Sequence, residues 1–417
     1  MVQPWLVFVE SNTSGTGRLF AATAYRKGYR PVVLTDAPSR YPYLTQDAIT
    51  TVSTATQDLA AMERAVAQLA ATAPVAGIFS TSEYYIEAAA SLAKAFELPG
   101  ADPTSIANCR NKWTQQQRLE QTLSCVPACR RAVAAEEACQ AAEAIGWPVI
   151  VKPVLGTGSI GVRLCHTSDD VYRQASLLLE RTVNERGMPV PREVLVEEYL
   201  NGPEFSVETF HTQVLGITRK HLSREPYFVE AGHDFPAELP SQAAADVGTV
   251  VVRALKSLGL TWGPAHTELR LTEKGPVIIE VNPRLAGGFI PEIVRLATGI
   301  DLIEETLSAV TGAEVRLNAR HHLYASIRFL FCPQNGTIAA LQGRDDAATV
   351  RGVADVQIYS SVGDECRIRH DFRDRIGHVI TRAESLSTAL EAAQDAIDKL
   401  SVLITPSKRT TDYAETV

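Results

Sequence analysis

Apolar and polar positions alternate over the first hundred residues in a pattern that predicts short strands separated by helices. An apolar run from Leu6 to Val9 leads through a polar loop containing Gly15 and Gly17 into a helical stretch, Arg18 to Gly28, and then a second apolar run, Pro31 to Thr35. A helix from Leu59 to Ala71 and a strand at Val75 to Phe79 continue the alternation, which favours a small parallel sheet. Pro99-Gly100-Ala101-Asp102-Pro103 marks a boundary. Beyond it, Ser105 to Thr122 reads as one helix, Ala135 to Ile145 as an alanine-rich scaffold helix, and Val149 to Pro153 as a strand.

Further along, Val194 to Leu200 reads as an apolar strand ending in acids, turning at Asn201-Gly202-Pro203 into an alternating strand from Glu204 to Glu208, by itself an ordinary hairpin. Ser223 to Pro240 reads as a long connection, and long ordered loops usually carry function. A second hairpin follows: Glu268 lies in one alternating run, Lys274-Gly275-Pro276 turns the chain, and Val277 to Val281 returns, setting Glu268 opposite Glu280. A helix is expected from Ile290 to Ala297. The tail adds strands at Ser326 to Phe331 and Val379 to Arg382, a helix from Ser385 to Leu400, and a frayed polar end after Thr405.

Composition narrows the class. With 417 residues, 45% hydrophobic and 21% charged, the chain has the profile of a soluble globular protein of roughly two to four domains. No apolar run spans a bilayer, and Met1 to Glu10 lacks the charged start and cleavage site of a signal peptide, so no membrane association and a cytoplasmic location are expected. The seven cysteines form no Cys-x-x-Cys pair and are expected to be reduced thiols. A net charge of -8 and the lack of a basic run argue against nucleic-acid binding. Gly15-Thr16-Gly17 followed by Asp36 imitates a dinucleotide fingerprint, but Phe20 stands where the third glycine is needed for close helix packing.

The candidate chemistry sits on the hairpins. Glu268, Glu280 and the carbonyl of Asn282 supply hard oxygen donors of the kind magnesium takes alongside phosphate oxygens, with Arg284 facing the same charge. Upstream, an apolar strand delivers Lys152, and the glycine-rich segment Gly156 to Val162, including Gly158, Ser159 and Ile160, can turn backbone N–H groups toward phosphates. It is not a P-loop, because no Gly-Lys-Ser/Thr closes it. Between the two segments, Glu197, Glu198, Tyr199 and Leu200 suit an adenine slot whose backbone groups read the base edge, with Glu204 on the ribose.

In this order the motifs resemble the ATP-grasp superfamily of carboxylate-amine ligases, and Asn111-Lys112-Trp113 is similar to the segment that opens these domains. The resemblance implies an α/β chain with an ATP-grasp fold: a Rossmann-like N-terminal domain (1–104), an entry helix and lid (105–195), a catalytic lobe (196–318) and a C-terminal α+β segment (319–417). It further implies ATP and Mg2+, or Mn2+ in its place, with Lys112 on the α-phosphate, the metal on Glu268, Glu280 and Asn282, and Arg284 on an acyl phosphate. Phe228-Val229-Glu230-Ala231-Gly232-His233 is similar to a segment of the L-amino acid ligases, the bacilysin-type dipeptide synthetases. That implies substrate roles for Glu230 and His233, an acid and an amine as the small-molecule partners, and an amide product; dimers are common in the superfamily.

Gly287-Gly288 reads either as a sharp turn or as a carboxylate site at a helix start, and Gly288 implies a roomy acyl pocket. His266 is placed to support Glu268. Arg328 is weighed as a contact to a substrate carboxylate against an ion-pair partner, and His321-His322 reads as a surface turn. The competing readings are another ATP-grasp chemistry, such as a biotin-carboxylase-like or purine-pathway enzyme, a NAD-dependent oxidoreductase, and a module that binds nucleotide without turnover.

Overall fold

The computed structural model describes residues 2–12, 16–223 and 225–406. Four parallel strands open the chain: β1 (Trp5–Val9), β2 (Arg30–Thr35), β3 (Thr50–Ser53) and β4 (Val75–Phe79), in the order β3-β2-β1-β4. Trp5, Val7 and Val9 enter one core and Leu6 and Phe8 another, so β1 is covered on both faces and reads as an unbroken apolar run. Of the fingerprint-like glycines, Gly15 lies outside the described residues and Gly17 falls inside the Thr16–Arg26 helix.

The single helix expected over Ser105 to Thr122 is two, Pro103–Arg110 and Lys112–Glu120. Asn111 is extended, at φ -89 and ψ 108, and its side chain accepts from the Thr114 N–H, so it caps the second helix. Lys112 consequently stands at a helix start rather than midway along one.

The lid is a four-stranded sheet, β5 (Cys129–Ala132), β6 (Val149–Pro153), β7 (Arg163–Cys165) and β8 (Val194–Glu198), ordered β5-β8-β6-β7. Val149, Val151, Val194 and Val196 pack under the Ala135–Ile145 and Ser168–Leu179 helices. By the two-residue period of a strand, Ile150, Lys152 and Glu197 are left facing the other way, toward the cleft.

The segment expected as the catalytic lobe holds β9 (Glu204–Phe210), β10 (Gln213–Leu222), β11 (Glu230–Phe235), β12 (Pro264–Thr272) and β13 (Gly275–Asn282), and β14 (Tyr324–Phe331) of the C-terminal segment joins the same sheet. The tail adds β15 (Gly336–Gln342), β16 (Val353–Ile358), β17 (Glu365–Cys366), β18 (Arg375–Ala383) and β19 (Ser401–Pro406). One eight-stranded sheet runs β13-β12-β9-β10-β11-β14-β18-β16, and a three-stranded one runs β17-β15-β19.

This topology corrects two expectations. The strands on either side of Asn201-Gly202-Pro203 are no hairpin: β8 belongs to the lid sheet and β9 to the large sheet, so the turn is the crossing from one to the other. Ser223 to Pro240 is no free loop either, since β11 pairs with β10 and β14 in the sheet interior. Its glutamate, histidine and aspartate hide the strand, because polar side chains stand where an apolar alternation would mark it.

Two smaller corrections follow. The turn between β12 and β13 is Glu273-Lys274, with Thr272 paired to Gly275. Cys332 and Cys366 form a disulfide, whereas the other five cysteines are free thiols. The short strands of the tail carried no pattern strong enough to announce them. The frayed end expected after Thr405 lies largely outside the described residues, and Thr405 itself belongs to β19. Among the described residues no helix is long and apolar enough to cross a membrane.

Candidate active site

The floor of the cleft is one face of the large sheet. Register sets Glu204, Ser206 and Glu208 of β9 beside Arg270, Glu268 and His266 of β12, and then pairs Glu268 with Glu280 and His266 with Asn282 of β13. The alternate residues Phe205, Val207, Leu269, Ile278 and Val281 form the core beneath, against the Ser241–Leu258 helix. Two-residue alternation along β9 and β12, with a bulge in β13 beside Glu280, therefore gives one dry face and one chemically dense face.

Charges on the dense face are paired across strands. Lys220 of β10 is 2% exposed and reaches Glu204 at 3.0 Å, Glu230 at 2.9 Å and Glu268 at 3.1 Å. Burial alone would lower its pKa, but Glu230, Glu268 and Glu204 outweigh that and hold it well above the ordinary lysine value. His266 lies between Glu208, at 2.9 Å from Nδ1, and Glu268, at 3.1 Å from Nε2. Against the penalty of burial these carboxylates raise it to about 9, so it is cationic at neutral pH, and it holds Glu268 as expected.

The roof comes from the lid. Lys152 Nζ meets Glu197 at 2.6 Å, and Lys112 Nζ meets Glu280 at 2.8 Å and the Gly156 carbonyl at 3.0 Å. Burial opposes the charge on Lys152, and Glu197 outweighs it. Gly158, Ser159 and Ile160 line the same cavity; Gly158 sits at φ +63, and a Cβ there would come 2.7 Å from the Phe372 ring. Ile150, Val162 and Ile279 form an apolar slot with Tyr199, Leu200 and Phe228 at its edge.

Arg270 closes that edge, lying 5.1 Å from the Tyr199 ring and 5.4 Å from the Phe228 ring. It donates to the Leu200 carbonyl at 2.6 Å and to Glu204 at 3.3 Å, so both groups expected to read adenosine already have an internal partner. Glu198 lines the cavity too, and its carboxylate accepts from the Ala128 N–H at 3.2 Å.

At the other end, Arg284 donates from Nε to Glu83 at 2.8 Å and also bonds it through Nη2. Glu83 follows β4, so the N-terminal domain anchors an arginine of the catalytic lobe. Burial pushes the Glu83 carboxyl up, but Arg284, Arg110 and Lys112 together outweigh it and hold it at about 2. Glu230 is gripped by Lys220 through one oxygen and, at 2.9 Å, by Arg375 through the other. His233 is wholly buried beside it, 3.6 Å away, and desolvation pushes its imidazole down to about 3, leaving it neutral.

Gly288 adopts φ +59, a backbone position that suits glycine, and a Cβ there would lie 2.6 Å from His233 Nε2 and 3.6 Å from Glu230 Oε2. The backbone there fits the sharp-turn reading, and the turn lies close to His233 and Glu230. A Cβ on Gly287 would meet nothing within 4 Å.

Most of the expected residues converge here: Lys112, Lys152, Glu197 to Leu200, Glu204, Glu230, Glu268, Glu280, Asn282 and Arg284 line one cavity, with His233, His266 and Gly288 in contact with its walls. Arg328 does not join them. It pairs with Gly232, one residue out of phase with His233, so it projects from the opposite face of the sheet, where Asp234 takes it at 2.8 Å. It is an ion-pair partner, because strand parity sends it away from the cleft. Lys220, Arg270, Glu83 and Arg375 escaped the sequence reading. Only Lys220 left a trace, as a lone cation opposite acids in alternating strands.

The donor set suits a magnesium-bound triphosphate. Glu268 and Glu280 face each other with Asn282 beside them; Glu280 holds Lys112, which phosphate oxygens can take over, while Glu268 rests on buried Lys220 and on His266. Magnesium takes one or two carboxylates and completes its shell with phosphates and water.

Two family profiles match the chain. A family profile described as an ATP-grasp domain matches residues 145–292, and one described as L-amino acid ligase C-terminal domain 2 matches 328–405. The chain is 37% identical over 402 residues to uncharacterized protein y4rH of Sinorhizobium fredii, covering 96% of this chain and 83% of the relative. It is 27% identical over 233 residues to dapdiamide A synthase of Enterobacter agglomerans, covering 52% of this chain and 53% of that protein. A solved L-amino acid ligase from Bacillus licheniformis superposes with a TM-score of 0.81 at 23% identity, covering 97% of this chain and 99% of the other.

Proposed function

This chain belongs to the ATP-grasp superfamily of carboxylate-amine ligases and carries an L-amino acid ligase C-terminal domain, and from that premise we propose that it joins a small carboxylic acid to an amino acid or amine, forming an amide with release of ADP and phosphate. The observation that carries the reading is the polar sheet face that sets Glu268 against Glu280, with Asn282 and Arg284 following on the same segment and Lys112 and Lys152 converging from two others. Magnesium held by Glu268, Glu280 and Asn282 would neutralise phosphate charge and orient the γ-phosphoryl group.

The chain's own residues do the rest. Lys152 and Lys112 exchange carboxylate for phosphate partners and counter the charge that develops as the phosphoryl group moves to the acid. Arg284, fixed by Glu83, stands where it can hold the acyl phosphate. Glu230, held by Lys220 and Arg375, orients the intermediate, and neutral His233 offers an unpartnered ring to the incoming amine without adding charge. The lid sheet and glycine-rich loop keep water from the activated acid.

The test is phosphate release screened over paired acids and amines. The proposal expects release that requires both members of a pair. Release that depends on bicarbonate instead would assign a carboxylase-type reaction.

A further inference from the structure

Arg375 meets the cleft through Glu230, one of the residues that line it. It opens β18, in the C-terminal segment, yet its Nη2 donates to both the carboxylate and the backbone carbonyl of Glu230, at 2.9 and 3.0 Å. Its guanidinium lies 3.7 Å over the Phe329 ring, which fixes the plane of the fork. Its side chain is 11% exposed, and Nε is buried without a hydrogen-bond partner among the described residues.

A buried N–H left unpaired on a cation is costly, and such a group is retained where a ligand satisfies it. Both ring nitrogens of His233, which also lies beside Glu230, are buried and unpaired among the described residues, and Gly288 leaves the approach to His233 and Glu230 free of side chain. Meanwhile both oxygens of Glu230 are already taken, one by Lys220 and one by Arg375. Glu230 therefore has little charge left to attract a substrate ammonium, whereas Arg375 has donor capacity to spare.

We infer that Arg375 is a specificity-determining residue of the acid site, receiving a second oxygen acceptor, a carboxylate or carboxamide, carried at the far end of the acid substrate. The inference rests on the ligase reading only for the word substrate; the preference itself is a binding property. It selects acids of the glutarate type over plain aliphatic acids of the same length.

Calorimetry tests it, with a nonhydrolysable ATP analogue and magnesium present and three probes: glutarate, its monoamide and pentanoate. Charge-assisted hydrogen bonds of this kind predict that the wild-type chain binds glutarate and its monoamide about ten- to a hundredfold more tightly than pentanoate. In Arg375→Met that preference narrows to within about threefold, and Arg375→Lys, which keeps the charge but loses the fork, falls between.

Equal affinity of the wild-type chain for all three acids would overturn the inference. So would an equal loss for all three in Arg375→Met, which would make the arginine only a support for Glu230. If the methionine variant does not fold, the wild-type preference and the lysine variant decide the matter. Because turnover is not measured, failure to release phosphate with any acid and amine would sink the ligase reading without touching this result.

Discussion

At the nucleotide end of the cleft Lys152 meets Glu197 and Lys112 meets Glu280, one cation to one carboxylate; at the acid end the single carboxylate of Glu230 is held by both Lys220 and Arg375. The first arrangement is built for exchange. A triphosphate can replace each carboxylate as the lysine's partner, and the released Glu280 is then free for a metal, so the buried charges stay balanced throughout. The second is built to hold still, since a carboxylate clamped from both sides has one orientation. Breaking one partner of a buried pair costs about 3–5 kcal/mol, which makes the clamp rigid and makes the exchange dependent on the arriving ligand.

The largest effect is expected where the exchange must free a metal ligand. Glu280→Gln should lower phosphate release by roughly a thousandfold or more, because an amide oxygen lacks the charge that magnesium needs, and Glu268→Gln should be nearly as severe. A Glu280 variant that keeps most of its activity at saturating magnesium would remove the hairpin from the site.

Next comes Lys152. Its replacement by alanine should weaken a nonhydrolysable ATP analogue by about ten- to a hundredfold in calorimetry and leave acid binding less affected, since its charge is spent on phosphate. Unchanged nucleotide affinity would make it a structural partner of Glu197 alone.

The acid end predicts a smaller and more selective response. Gly288→Ala forces a side chain into a left-handed backbone position and toward His233, and overpacking of about 1–3 kcal/mol should cut kcat/KM for bulky acids by about tenfold relative to small ones. Gly288→Trp should exaggerate the same bias. Equal loss across acid sizes would mean that the turn sets the backbone rather than the pocket.

The mildest test concerns pH. His233 titrates near 6.5 when unfolded and at about 3 when folded, so the unfolded chain binds the extra proton between those values. Its contribution to stability is complete above pH about 6.5 and is lost as pH falls toward about 3, with a slope of about 1.4 kcal/mol per pH unit. His233→Gln should flatten the melting-temperature profile in that window; an unchanged profile would mean that the imidazole charges freely in the folded chain.

The two ends also differ in how far the sequence revealed them. Glu268, Glu280, Asn282 and Lys152 were legible because they sit on short-range patterns, a hairpin with fixed register and a strand leading into glycines. Glu230 and His233 were found through similarity, but the strand they occupy was not, since buried charged groups disguise its alternation. Glu83, Arg110 and Arg375 reach the cleft from segments distant in the chain, and no local spacing records that Glu83 touches Arg284 or that Arg375 touches Glu230. Arg328 stayed open between a substrate contact and an ion-pair partner for the complementary reason: an arginine on the right strand can face the wrong side, and strand parity is settled only by register. The disulfide between Cys332 and Cys366 was equally hidden, because an odd cysteine count without paired spacing carries no sign of it.

The central claim, that ATP activates a carboxylate by phosphorylation before the amine attacks, can be read from the fate of one oxygen atom. An acid labelled with oxygen-18 in its carboxylate is incubated with ATP, magnesium and an accepted amine, and the inorganic phosphate and amide are analysed by mass. Activation as an acyl phosphate predicts one labelled oxygen in each phosphate released and one amide formed per ADP. Phosphate without label, or label-free ADP formation that proceeds equally well without the acid, would contradict it.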